Sequence, residues 1–250
     1  MIVLVTGASA GFGAAIVRRF ARDGARVIAA ARRRKRLDAL RSELGDAVLP
    51  LELDVRDRDA VVKAVVSLPP ALAEIDVLVN NAGLAVGLEP AQAAQLDDWD
   101  AMVDTNVKGV MYVTRAVLPG MVARNRGHVV NLGSIAGEFP YPGGNVYGAT
   151  KAFVHQFSLN LRADLLGTRI RVTDIEPGLA GGTEFSQVRF KGDVQKADAV
   201  YAGTTPVSAD DVADAIHWVA TRPPHVNVNA LQMMPVSQAF GPLAVKRDGR

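Results

Sequence analysis

The 250-residue sequence contains no cysteine and only four histidines. Disulfide bonds are therefore excluded, and a zinc site of the Cys/His type has no ligand set. Charge of one sign is not in excess either, because 28 Lys and Arg residues stand against 26 Asp and Glu residues. A formal net charge of +2 provides no general attraction for a nucleic acid. We therefore expect no metal site and no nucleic-acid partner.

Long hydrophobic runs are also missing. A membrane span needs about 18 uninterrupted apolar residues, and no stretch of the sequence reaches this length. The apolar segment 1–5 runs directly into a Thr-Gly pair and has no basic leader, so it does not resemble a signal peptide. We expect a cytoplasmic protein that has no membrane partner.

Short runs of Val, Ile and Leu alternate with segments of helical period along the chain. The runs show little polar alternation, which is typical of parallel strands that are covered by helices on both faces. No linker or change of composition divides the chain, so we expect one α/β domain over residues 1–250. The predicted strands are 2–5, 26–30, 48–53, 77–80, 128–132, 171–175 and 227–233, and the predicted helices are 13–23, 34–44, 58–66, 96–123, 146–165 and 209–220.

The segment 178–206 lacks a clear period. An insertion of this length between a strand and a helix often covers a substrate, and we interpret it as a lid. The helix that follows is predicted to begin after Ser208, with Asp210 and Asp211 in its first turn.

A glycine-rich loop connects the first predicted strand to the first helix. Gly7, Gly11 and Gly13 permit a tight turn and a close backbone approach, and the free N–H groups of the helix N-terminus favour a pyrophosphate. Such a loop alone is weak evidence, but its place between two strands is typical of a mononucleotide-binding half-fold. We predict that the loop binds a dinucleotide, together with its residues Ser9 and Phe12.

The end of the second predicted strand carries arginine where an acidic residue is usual. A protein that binds NAD normally presents Asp or Glu to the ribose hydroxyls, whereas Arg32 and Arg33 stand here. A guanidinium group pairs well with a 2′-phosphate, so the sequence predicts NADP. The neighbouring residues 34–36 are interpreted as a solvated first turn of a helix.

Polar and small residues also follow the third and fourth strands. Asp54, before Val55, is placed to accept a hydrogen bond from an adenine amino group, and the small residues after the fourth strand allow the backbone to approach a cofactor. Because the carboxyl ends of parallel strands form the ligand-binding edge of a sheet, we add Asp54, Val55, Asn81, Ala82 and Gly83 to the cofactor site.

Tyr147 and Lys151 are four residues apart on one helix face, and Ser134 follows the fifth strand. An ordinary phenol has a pKa near ~10, and a nearby ammonium group, reinforced by an oxidised nicotinamide, lowers this pKa toward the working range. We predict that Tyr147 is the acid/base and that Ser134 orients the substrate oxygen. Lys151 is predicted to supply the charge and to hold the cofactor ribose, so Tyr147 and Lys151 also count among the cofactor-binding residues. Asn106 could hold a water that connects Lys151 to solvent, or it could be a satisfied buried amide in a kinked helix.

Together these motifs, in this order and at these separations, resemble the short-chain dehydrogenase/reductase family over essentially the whole chain. The resemblance implies a single-domain Rossmann fold with a doubly wound, seven-stranded parallel sheet, hydride transfer at a nicotinamide, and a Ser-Tyr-Lys site with Asn106 in the proton relay. It also implies that Pro177, Gly178 and Thr183 contact the nicotinamide end. Dimers or tetramers are implied, packed through the helices 96–123 and 146–165.

The stretches 143–153, 176–186 and 188–193 further resemble a subgroup, the bacterial NADP-dependent 3-hydroxy acid dehydrogenases. That resemblance implies L-serine, L-allo-threonine, 3-hydroxypropionate and malonic semialdehyde as substrates. The predicted lid contains two cations, Arg189 and Lys191, and a guanidinium suits a carboxylate better, so we predict that Arg189 binds the substrate acid. Two alternatives remain: an NADPH-dependent reductase of 3-oxoacyl thioesters or other ketones, and a non-catalytic NADP sensor.

Overall fold

The computed structural model describes residues 1–240, which form one seven-stranded sheet. All neighbouring strands are parallel, in the order β3-β2-β1-β4-β5-β6-β7. This arrangement confirms the predicted α/β, doubly wound fold. The strands are β1 Ile2–Thr6, β2 Arg26–Ala31, β3 Val48–Glu52, β4 Val77–Asn80, β5 Gly127–Leu132, β6 Ile170–Pro177 and β7 Ala230–Met233.

Helices cover both faces of the sheet. One apolar core lies between the sheet and α1, α2 and α9, and a second core lies between the other face and α3, α5 and α6. The side chains of the central strands are almost fully buried, which explains why their sequences show no polar alternation. The helices are α1 Gly11–Arg22, α2 Arg34–Leu44, α3 Arg58–Val66, α4 Leu96–Val103, α5 Val110–Arg124, α6 Asn145–Asp164, α7 Phe185–Arg189, α8 Val194–Ala199 and α9 Ala209–Ala220.

Two predicted elements differ from the structure. The predicted helix 96–123 is helical over its length, but its turns at Asp104–Gly109 are π-helical, and this segment lies between α4 and α5. The last strand begins at Ala230 instead of residue 227, because the Asn227 side chain takes the place of a strand partner. The Asn227 Oδ1 accepts from the Val172 N–H, and the Asn227 Nδ2 donates to the Val172 carbonyl, so the side chain makes the contacts that a strand backbone would make.

The segment 178–206 contains two short helices, α7 and α8, which no period in the sequence indicated. Each is less than two turns long, so too few residues are present to show a repeating apolar face. The predicted start of α9 is confirmed: Ser208 accepts from the Asp211 N–H, and the Asp211 carboxylate accepts from the Ser208 N–H, which completes a capping box.

No helix within residues 1–240 is both long enough and apolar enough to cross a membrane.

Candidate active site

A cavity of about 770 Å³ opens at the carboxyl ends of the strands. It gathers residues from separate βα connections, from the segment 178–206 and from the last described residues. Apart from Gly13 and Asn106, every residue that the sequence assigned to the site lines it: Gly7, Ser9, Gly11, Phe12, Arg32, Arg33, Asp54, Val55, Asn81, Ala82, Gly83, Ser134, Tyr147, Lys151, Pro177, Gly178, Thr183 and Arg189.

The glycine-rich loop has the geometry that a pyrophosphate requires. Gly7 and Gly11 adopt φ values of +66° and +50°, which only glycine adopts without strain. A Cβ atom at Gly13 would overlap the Gly7 carbonyl, so Gly13 is required for the close packing of the loop behind the cavity. The N-cap of α1 is Ala10, whose side chain cannot cap the helix, and the first N–H groups are left for a ligand. The loop therefore fits a dinucleotide.

The arginines after β2 form a cationic site that includes a residue the sequence analysis missed. Arg33 donates from Nε to Ser9 Oγ (3.0 Å) and pairs through Nη1 with Glu184 of the segment 178–206 (2.7 Å). Arg36 also pairs with Glu184 (2.7 Å), but its side chain is 47% exposed and does not line the cavity, so it lies in the solvated first turn of α2 as the sequence predicted. Arg32 and Arg33 line the cavity beside Glu184, and because guanidinium groups pair well with phosphate oxygens, the site fits a phosphate group.

The strand ends on either side of this loop are tied together by polar contacts. Thr6 Oγ1 accepts from the N–H groups of Asn81 and Ala82, both at 3.0 Å, and Asn81 Nδ2 donates to the Thr6 carbonyl at 2.8 Å.

Asp54 is held by a bidentate contact with Arg56, which lowers the pKa of its carboxyl group. Its contact with adenine remains a prediction.

Tyr147 and Lys151 project from α6 into the cavity, and both are more than 90% buried. The Lys151 ammonium lies 5.8 Å from the centroid of the Tyr147 ring and donates to the Leu132 carbonyl at 2.6 Å. Ser134 begins the turn after β5 and faces the same space, where it donates to the Pro177 carbonyl. The structure thus brings together the three side chains that the sequence analysis combined.

Burial dominates the pKa values of Tyr147 and Lys151 in the chain by itself. Burial raises the pKa of Tyr147 to about 12, although the Ser134 hydroxyl and the Arg189 guanidinium oppose the shift. Burial also lowers the pKa of Lys151 to about 8, against the attraction of Asp174. In the chain by itself, desolvation outweighs the cations that the chain provides, and the lowered phenol pKa in the presence of an oxidised nicotinamide stays a prediction.

Asn106 lies in the π-helical segment behind the cavity and is 1% exposed. Its Oδ1 accepts from the Leu84 N–H at 2.9 Å, and its Nδ2 donates to the Leu84 carbonyl at 2.8 Å and to Thr150 Oγ1 at 3.0 Å. Of the two interpretations, the satisfied buried amide matches the side chain. Through Thr150, Asn106 supports the turn of α6 that carries Lys151.

Arg189 extends from α7 over the ring of Tyr147. Its guanidinium lies 5.6 Å from the Tyr147 ring centroid and 5.3 Å from that of Tyr141, and Nη2 donates to the Tyr141 hydroxyl at 2.5 Å. The Nε of Arg189 is buried and has no hydrogen-bond partner within the described chain. Lys191, the other cation of the predicted lid, instead pairs with Asp98 (2.7 Å).

Several residues that close the cavity belong to no motif in the sequence. Tyr141 precedes α6 in a segment without period, and no motif marked it. Gln238 comes from beyond the last strand, and its Oε1 accepts from the Leu179 N–H at 2.7 Å. Phe240 packs on Phe139 with their ring centroids 4.3 Å apart. These contacts join segments that are distant in sequence, so no local pattern could have indicated them.

A doubly wound sheet with a glycine-rich loop and a Ser-Tyr-Lys group at its carboxyl edge is the arrangement of the short-chain dehydrogenases/reductases, and the chain belongs to this family. A family model described as short chain dehydrogenase matches residues 1–193. The chain is similar to the NADP-dependent 3-hydroxy acid dehydrogenase YdfG of Salmonella typhi, with 63% identity over 248 residues that cover 99% of this chain and 100% of the relative.

Two further relatives are similar over nearly their whole length. The serine 3-dehydrogenase of Agrobacterium fabrum is 50% identical over 246 residues, which cover 98% of each chain. The solved closed form of a serine dehydrogenase complexed with NADP⁺ is 60% identical and has a TM-score of 0.98, covering 99% of this chain and 100% of the other.

Proposed function

We propose that the protein is an NADP-dependent oxidoreductase that interconverts 3-hydroxy acids and 3-oxo acids. The proposed substrates are L-serine, L-allo-threonine and 3-hydroxypropionate in the oxidative direction and malonic semialdehyde in the reductive direction. The named activities of the Salmonella and Agrobacterium relatives support the reaction class. The NADP⁺ complex of the similar serine dehydrogenase and the arginine site beside Ser9 support the cofactor.

One observation carries the substrate class: a cation without an acidic partner lies beside the proposed acid/base. Arg189 makes no ion pair within residues 1–240, and its buried Nε lacks an acceptor. A buried guanidinium in this state gains most from a carboxylate, which satisfies its charge and two of its N–H groups. Arg189 and Tyr147 line the same cavity, with the guanidinium over the Tyr147 ring at 5.6 Å from its centroid, so a short acid bound by Arg189 has its hydroxyl near Tyr147 in this proposal.

In this proposal the loop 7–13 holds the pyrophosphate of NADP, Arg32 and Arg33 hold the 2′-phosphate, and Pro177, Gly178 and Thr183 contact the nicotinamide end. The bound cofactor supplies hydride transfer, and its oxidised ring adds positive charge to the site. During oxidation the Tyr147 oxygen takes the proton of the substrate hydroxyl, and during reduction it returns that proton. Ser134 donates a hydrogen bond to the substrate oxygen and orients it, while the Lys151 ammonium stabilises the phenolate.

The role of Arg189 is tested by Arg189→Met, which keeps an apolar side chain of similar length. We expect KM for L-serine to rise about 10- to 100-fold, because hydrogen bonds to a charged group contribute roughly 1.5–3 kcal/mol. KM for a neutral 3-hydroxy ester should change little. Lys191→Met is the matched control, since Lys191 pairs with Asp98. Equal losses on the acid and the ester would exclude a carboxylate contact.

The same kinetic panel separates the two alternatives. A reductase of 3-oxoacyl thioesters or larger ketones needs no carboxylate contact, and it would favour the ester or thioester over the acid in the parent enzyme. A non-catalytic NADP sensor would bind the cofactor and show no reduction of it with any hydroxy acid. Reduced-nicotinamide absorbance with NADP and the panel of serine, allo-threonine and 3-hydroxypropionate therefore distinguishes all three functions.

The protein is further proposed to form a homo-oligomer, a dimer or a tetramer, through α5 and α6. Met111 and Val122 on α5 and Leu159 on α6 are large apolar side chains that are exposed in the single chain. Burial of such side chains against a second copy favours association.

A further inference from the structure

Behind the catalytic residues lies a second group of ionisable side chains that the proposed mechanism does not use. Tyr147, Lys151 and His155 follow one another at intervals of four residues on α6, so they share one helix face. That face packs against β6, where Asp174 and Glu176 alternate with residues of the opposite sheet face. The side chains on this face of α6 therefore lie against the carboxyl groups of Asp174 and Glu176.

Asp174 and Glu176 are each 1% exposed, which is unusual for carboxylates. His155 Nδ1 lies 2.6 Å from Glu176 Oε1 and 3.5 Å from Asp174 Oδ2. Neither oxygen of Asp174 has a hydrogen-bond partner in the described chain, and Oε2 of Glu176 also lacks one. A single imidazole thus faces two buried carboxyl groups, of which only Glu176 accepts a short hydrogen bond.

The position of Asp174 connects this group to Lys151. The Asp174 carboxyl packs directly on Gly133, where a Cβ atom would overlap it. The preceding residue, Leu132, provides the carbonyl that binds the Lys151 ammonium at 2.6 Å. Each of the two groups also affects the pKa of the other: Asp174 raises that of Lys151, and Lys151 lowers that of Asp174.

The other charged groups near Asp174 are few. Lys151 and His155 lie on α6, and Glu176 lies on β6. The exposed Glu138 lies in the turn after β5, and one of its carboxylate oxygens is within 4.8 Å of a ring nitrogen of His155 and a carboxylate oxygen of Glu176. Strand β5 faces the group with neutral Asn131, and β7 contributes no charged residue. Among these groups, Asp174 is the carboxyl group that raises the pKa of Lys151.

We propose that Asp174 is a positioning residue whose buried carboxylate keeps the Lys151 ammonium charged, so that Lys151 continues to stabilise the Tyr147 phenolate at alkaline pH. This inference rests on the proposed function, because it needs Lys151 to act on Tyr147. Burial alone would release the Lys151 proton, and a nearby anion is the ordinary means of retaining it. Burial of Asp174 and, after it, repulsion from Glu176 raise the pKa of Asp174 to about 8, so Glu176 opposes this effect and the Asp174 anion forms in the alkaline range.

The test compares two isosteric changes, Asp174→Asn and Glu176→Gln, in the pH profile of kcat for hydroxy acid oxidation. Asp174→Asn removes the anion beside Lys151, so the alkaline limb of the profile should move to lower pH by about one unit, with kcat on the neutral plateau changed less than about threefold. Glu176→Gln removes a buried carboxylate too, but it relieves the repulsion on Asp174. Its alkaline limb should stay in place or move to higher pH.

The opposite responses distinguish a charge effect from a structural one. If both variants lose activity equally at every pH, or if only KM changes, Asp174 has no role through Lys151. If Zn²⁺ or a chelator moves the alkaline limb of the parent enzyme, a bound cation controls the charge, and the inference is wrong. A parent enzyme that is inactive on all hydroxy acids would instead contradict the proposed function.

Folding of the Asp174 variant can be checked independently. The pKa of Asp174 is higher in the folded chain than in the unfolded chain, so its contribution to stability is complete at low pH and is lost as pH rises. Asp174→Asn should therefore unfold at an equal or higher temperature than the parent above neutral pH. If Asp174→Asn does not fold, Asp174→Ser removes the same charge, and it must show the same shift to lower pH.

Discussion

The two halves of the cavity are lined by different kinds of groups. Around the loop 7–13 the backbone dominates: two glycines have positive φ, a third has no room for a side chain, and a helix N-terminus is uncapped. Around α6 and the segment 178–206, buried ionisable side chains dominate, among them Tyr147, Lys151 and Arg189. A dinucleotide is bound by a preformed surface, whereas proton transfer needs groups whose charge is set by their surroundings.

The largest effect should come from Tyr147→Phe, which removes the proposed acid/base and nothing from the cofactor half. We expect kcat to fall by about 10³- to 10⁴-fold, near the upper range for loss of general acid/base catalysis. The Kd for NADP should remain within about threefold of the parent value. Stopped-flow turnover and fluorescence titration with NADPH measure the two quantities.

A Phe variant that retains more than a small fraction of the rate would mean that another group transfers the proton. A large loss of NADP affinity would mean that the two halves of the cavity are not separable.

The next effect concerns cofactor choice. Arg33→Ala removes a guanidinium that contacts Ser9 and Glu184 next to the loop, and it should weaken NADP binding about 10- to 100-fold, because charge-assisted hydrogen bonds contribute roughly 1.5–3 kcal/mol. Binding of NAD, which has no 2′-phosphate, should change little. Isothermal titration of both dinucleotides provides the comparison.

Arg34→Ala is the matched control, because Arg34 pairs with Asp38 one helical turn away and does not line the cavity. Equal weakening of NADP and NAD by Arg33→Ala would assign Arg33 to the shape of the loop instead of to the phosphate.

The smallest effect should be on the stability of the sheet, away from both halves of the cavity. His128 on β5 is 2% exposed, and its Nε2 lies 2.8 Å from Thr173 Oγ1. Burial, reinforced by Arg171, lowers the pKa of His128 to about 3. Because this pKa is below that of an unfolded histidine, the contribution to stability is complete above about pH 6.5 and is lost as pH falls. The free energy of unfolding should decrease by about 1.4 kcal/mol per pH unit from this residue alone.

Urea unfolding between pH 7 and pH 4 measures this slope. His128→Asn should remove it, whereas His225→Asn, at an exposed position, should leave it unchanged. An unchanged slope in His128→Asn would show that other groups cause the acid sensitivity.

The predictable part of the fold and site follows from local patterns. The strands and the glycine-rich loop could be predicted because their residues are contiguous and because buried parallel strands have a distinctive composition. The π-helical segment Asp104–Gly109 between α4 and α5 could not be predicted, because Asn106 makes its contacts with Leu84, which lies outside the helix. Glu184 and Tyr141 were missed for the same reason, since their partners Arg33 and Arg189 are far away in sequence.

The sequence by itself determined the order of the elements, the glycine positions and the four-residue spacing of Tyr147 and Lys151, because all three depend on backbone geometry and local periodicity. Only the tertiary structure decided the charge of the site. Burial raises the pKa of the Tyr147 phenol and lowers that of the Lys151 ammonium. The packing of β6 against α6 brings Asp174 close enough to Lys151 to raise the Lys151 pKa. A pKa depends on the solvent and the charges around a group, and these are fixed only when distant segments pack together.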